Sequence, residues 1–104
     1  MNELDRIFHN LAKQFLAQNP NIPHEWREIR SRIGGNRVDL ICAPNSPNEV
    51  FVSLLGSQIV VGRTHGEHVD FEDFGRRISD DQLAREAFDG FLEILAENGH
   101  LQPS

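Results

Sequence analysis

Cysteine is almost missing from this chain of 104 residues, which has Cys42 alone. No disulfide can form within it, which suits a reducing compartment. Cys42 stands in the apolar run RVDLICA (37–43), where it reads as a buried small hydrophobe and not as a nucleophile. No apolar stretch approaches the length of a membrane span, so no membrane association is expected. Residues 1–9 mix polar and charged side chains, unlike a signal peptide, and a cytoplasmic location is the expectation. Three catalytic signatures are also missing: a serine elbow, a glycine-rich phosphate loop and a cysteine–histidine pattern. There is no internal repeat and no low-complexity segment.

Positive charge is scarce in one part only. Residues 1–63 hold seven Lys/Arg against six Asp/Glu, a balance of +1, whereas residues 64–104 hold three against ten, a balance of −7. The whole chain is −6. Phosphate binding needs clustered cations, so the C-terminal part opposes nucleic acid and favours a basic protein partner. The arginines at 27, 30, 32 and 37 form a small basic group beside Trp26, and they are expected to pair with Glu28 or Asp39 across a hairpin. No nucleic-acid binding is expected.

The length fits one domain, residues 1–104, with one core. Leu4, Ile7, Phe8, Leu11, Phe15 and Leu16 recur at helical spacing. Asn2 can cap that helix, Asp5 suits its positive end, and Asn19-Pro20 stops it. After the connector PNIPHE (20–25), two extended runs flank Gly34-Gly35-Asn36 and predict a hairpin. Val38, Leu40 and Cys42 should share one face of it, with Arg37, Asp39 and Ile41 on the other. EVFVSLL (49–55) and QIVVGRT (58–64) predict two more strands around a Gly56-Ser57 turn. Their continuous apolar runs suggest central strands covered on both sides or at an oligomer contact. The fourth strand can run on through HGEHVDF, with Gly62 and Gly66 marking a bulge or a close backbone approach. Ser79-Asp80-Asp81-Gln82 fits a capping box, and Ile78 and Leu83 stand at hydrophobic-staple spacing. A closing helix follows, with Leu83, Ala84, Ala87, Phe88, Phe91, Leu92 and Leu95 on one face. It ends near Gly99 and Pro103. The predicted fold is α+β: two terminal helices on one face of an antiparallel meander of about four strands.

The stretch VVGRTHGEHVDFEDFGRRISDD (60–81) concentrates the groups that carry chemistry. His65, His68 and Asp70 raise the question of a metal. On an extended segment His68 and Asp70 point one way and His65 the other, and zinc needs three or four convergent ligands. The His-x-x-His spacing also falls one residue short of the helical metalloprotease signature and is broken by Gly66. Neither a metal nor another cofactor is expected. Catalytic carboxylates need burial or crowding to tune them, and here they alternate with arginines as on a solvated surface. The chain is therefore read as a non-enzyme. Phe71 and Phe74 sit among Asp70, Glu72 and Asp73, the composition of an interface meeting a basic partner. Phe71 itself is expected to pack under the sheet. The charge imbalance assigns Glu67, Asp70, Glu72, Asp73, Asp80 and Asp81 to the contact surface, with His65 and His68 beside them. Asp80 and Asp81 also serve the helix dipole.

The outline resembles small immunity proteins of bacterial polymorphic and contact-dependent toxin systems. The likeness is carried by Val60-Val61-Gly62, His65, His68-Val69-Asp70-Phe71 and the helix from Asp80, mainly over residues 57–98. Val69 stands where a second histidine is often seen. The resemblance implies an acidic domain with a sheet between terminal helices. It also implies that the chain neutralises a cognate toxin domain by binding it, as a monomer or homodimer. Two other classes fit the same sequence. One is a dimeric secretion-chaperone or adaptor-like module, and the other a small hydrolase using His65, His68 and Asp70.

Overall fold

A computed structural model describes residues 2–30, 35–75 and 79–101, with the backbone alone of His65. The elements run α1 (Glu3–Gln18), β1 (His24–Ile29), β2 (Arg37–Cys42), β3 (Val50–Leu54), β4 (Ile59–His65), β5 (His68–Phe74) and α2 (Asp80–Glu97). The strands form an antiparallel meander in the order β1-β2-β3-β4-β5. Both helices cover one face of it, so the fold is a two-layer α+β sandwich. Five strands replace the four predicted. Gly66 takes φ +56° and opens a two-residue turn with Glu67, which folds the predicted bulge into a further hairpin closed by His65 and His68.

Capping follows the residue chemistry. The Asn2 side chain accepts the Asp5 N–H at 3.0 Å, and Asn19 ends α1. Ser79 accepts the Gln82 N–H at 3.2 Å, which supplies its half of the capping box. At the far end of α2, Gly99 N–H donates to Ala96 O at 3.1 Å and His100 N–H to Leu95 O at 2.9 Å. These are the paired bonds of a Schellman motif. Ile78 of the staple, Gly34 of the predicted turn, Arg32 of the basic group and Pro103 lie outside the described residues.

The core lies between the helices and the inner face of the sheet. Leu4, Phe8, Ala12 and Leu16 come from α1, and Leu83, Ala84, Ala87, Phe91 and Leu95 from α2. The sheet supplies Leu40, Cys42, Val50, Val52, Leu54, Ile59 and Val61, all buried. Each large side chain removed from water stabilises the fold by about 1.5–3 kcal/mol. Phe8, Phe15, Phe88 and Phe91 meet edge-on or tilted across the helix pair, with centroids 6.0 to 6.3 Å apart. Burial pushes the Cys42 thiol up to about 12, so it is an inert core group. Gly90 is the close approach of α2 to β5, because a Cβ there would stand 2.9 Å from Phe74 Cζ.

The outer face carries the alternate residues, and among the described residues no helix covers it. A row of register partners crosses it from Glu25 through Ile41, Phe51 and Gly62 to Phe71. Phe51 lies over Gly62: a Cβ there would meet Phe51 Cζ at 2.5 Å and Asp70 O at 2.6 Å. The apolar runs at 50–55 and 59–61 therefore mark interior strands, but helices cover only one side of them. Phe51 and Val60 stay half-buried. Of the basic group, Arg27 contacts Glu25, and Arg37 Nε lies 3.4 Å from Asp39 Oδ2. These two arginines thus pair within their own strands and not across the hairpin.

Candidate functional site

The acidic stretch is strand, as HGEHVDF suggests, but it turns back at Gly66-Glu67 and does not run on. It is the β4–β5 hairpin, with β5 forming one edge of the sheet. Strand periodicity divides its side chains between two faces. His68, Asp70 and Glu72 stand on the helix side, and Val69, Phe71 and Asp73 on the outer side; all six are exposed. Glu67 is exposed in the turn. His65 reaches the hairpin through its backbone, paired with His68.

Only part of the predicted contact set comes together. Glu67, His68, Asp70, Glu72 and Asp73 share the hairpin, but not one face of it. Asp80 and Asp81 belong to the first turn of α2, where Arg85 Nε holds Asp81 Oδ2 at 3.0 Å. Arg63 lies between Asp70 and Glu97, at 3.9 and 3.5 Å, which links the middle of β5 to the end of α2. Asp70 and Glu97 share this one guanidinium, and Glu72 stands on the same face of β5, so that side of the hairpin is negative.

Phe71 corrects the expectation that it packs under the sheet. It is 66% exposed on the outer face, beside Val69 at 54%. Phe74, on the opposite face, is the phenylalanine that packs, against Gly90. The register accounts for the exchange. Phe74 pairs with Ile59 under α2, whereas Phe71 pairs with Gly62 on the side without a helix. Exposed apolar groups amid carboxylates make a surface suited to protein contact, with anchors and a charged rim.

Among the described residues, no group of three or more His, Cys, Asp or Glu side chains could hold a metal ion. No helix of the described residues is long and apolar enough to cross a membrane.

Sequence reasoning missed Asp5. It reads as a surface acid at the start of α1, yet it is 8% exposed. Its Oδ1 has no hydrogen-bond partner among the described residues. Burial pushes its carboxyl above the ordinary carboxylate value, and the Gly56 backbone N–H acts in the opposite direction. Asp5 borders a cavity of about 390 Å³ with Asn2, Glu28 and Asn36. The one available signal was its spacing: Asp5 stands one residue from Leu4 and three from Phe8, at the border of the apolar stripe.

No protein-family model, curated protein or solved structure matches the chain.

Proposed function

We propose that this chain is an immunity-type protein of the cytoplasm, which neutralises a cognate bacterial toxin domain by binding it stoichiometrically. The surface assigned to the contact is the β4–β5 hairpin, with Glu67, Asp70, Glu72 and Asp73 and with His65 and His68 beside them. The observation that supports this reading most is Phe71 and Val69, exposed on a strand where they alternate with Asp70, Glu72 and Asp73. Apolar anchors give affinity, and the surrounding charge gives rate and selectivity. A basic nuclease domain fits such a surface, since carboxylates on a rigid strand can stand in for the phosphates that its cleft attracts. Asp80 and Asp81 form a weaker part of the surface, because the helix end and Arg85 already engage them.

The adaptor reading draws on the same exposed apolar groups and requires a dimer, which light scattering would reveal. The immunity reading is tested by co-expression with the variable C-terminal domain of a large secreted protein encoded beside this one. Protection is expected, and Glu72→Lys with Asp73→Lys should slow association about tenfold at low salt. Continued toxicity despite soluble expression of both proteins would contradict it.

A further inference from the structure

We infer that the partner is held as a sixth strand: an extended segment, alternating basic and apolar residues, that pairs with the free edge of β5. The inference rests on the proposed binding role of the hairpin and specifies how that binding is made. β5 is the last strand of the sheet, and only β4 pairs with it among the described residues. The two-residue turn closing on His65 and His68 makes those two a hydrogen-bonded pair, and alternate pairs along the hairpin follow suit. The intervening residues Val69, Phe71 and Asp73 therefore point their backbone N–H and C=O groups away from β4. Among the described residues, no backbone bond made outside helices and strands uses them.

Chemistry on the two faces of β5 specifies the occupant. A strand laid against this edge presents one set of side chains beside His68, Asp70 and Glu72 and the other beside Val69 and Phe71. Lysine or arginine suits the first set and apolar residues the second. The strand has no proline, lysine or bulge, and the guard on its edge is its own carboxylates, Asp70, Glu72 and Asp73, which repel an acidic strand and admit a basic one. A second copy of this chain is the wrong occupant. Antiparallel self-pairing centred on Phe71 sets Asp70 opposite Glu72, and centring on Asp70 or Glu72 sets a carboxylate opposite itself. Like charges facing each other across strands repel.

The probe is a capped peptide that alternates lysine with valine over the length of β5, titrated into the full chain and followed by amide NMR. Two controls are a scrambled peptide and the same peptide N-methylated on alternate backbone nitrogens, which keeps charge and apolar content but removes strand pairing. The expected result is slowed exchange of the Val69, Phe71 and Asp73 amides, with affinity at least about tenfold weaker for both controls. Phe71→Ser should weaken the alternating peptide without displacing it from β5. Equal binding of the N-methylated peptide would overturn strand pairing while leaving an acidic contact surface intact. No binding up to about 1 mM would also overturn it, and co-expression with the toxin domain judges the broader reading separately. A homodimer protected at the same three amides would overturn it too, by showing that the edge is taken by a second copy.

Discussion

The two faces of the one sheet are built from the same alternating strands and come to opposite ends. On the inner face, seven side chains of β2, β3 and β4 are buried beneath two helices. On the outer face, Val69 and Phe71 stand in water beside Asp73. Aliphatic burial inside supplies stability, whereas the outer edge is left apolar with nothing described above it. The comparison teaches that exposure at β5 follows from where the helices sit. α2 packs on Phe74 at Gly90, whereas its end meets the middle of β5 through the polar Arg63 bridge between Glu97 and Asp70.

Substitutions on the two faces should separate these roles. The largest effect belongs to the inner side. Phe91→Ala removes a fully buried ring from the aromatic cluster and should cost about 3–5 kcal/mol in denaturant unfolding. Gly62→Ala comes next and blurs the division, because the outer face is open yet intolerant at this point. A methyl there would collide with the Asp70 carbonyl as well as the Phe51 ring. A cost of about 1–3 kcal/mol is expected, with β5 amides losing protection first.

A smaller effect lies at the rim of the core. Burial raises Asp5 above its ordinary value of 3.8, so the folded state holds this proton more tightly than the unfolded chain does. Its contribution to stability therefore falls as pH rises through the interval just above 3.8 and is level beyond the folded value. Asp5→Asn should flatten that part of the stability–pH curve and leave neutral-pH stability within about 1 kcal/mol of the parent. Urea midpoints from acidic to neutral pH measure both.

Much of this architecture is legible in the residues, and the parts that are not have physical reasons. Helical spacing marks α1 and α2, and Asn2 and Ser79 mark their starts, because capping is local chemistry. β5 is hidden because its pattern changes partway. Its helix-side positions run His68, Asp70, Glu72 and then Phe74, polar until α2 arrives. Its outer positions run Val69, Phe71 and then Asp73, apolar until the end. No single face stays apolar, so alternation gives no clear strand, and which phenylalanine is covered depends on Gly90, in a separate element. Gly56, whose backbone bonds the Asp5 carboxyl, is distant in sequence, and spacing within α1 could only hint at the burial. Glu67 to Asp73 lie close along the chain, which is what the sequence shows of them. Being a strand, β5 then sends its neighbours to opposite faces, so closeness in sequence does not make one surface.

Phe71→Ser tests the division of labour most directly, with unfolding and toxin protection measured on the same variant. The account predicts a change in stability of about 0.5 kcal/mol or less, as for an exposed side chain, together with loss of protection on co-expression. Unfolding as severe as that of Phe91→Ala, or full protection by the variant, would contradict it.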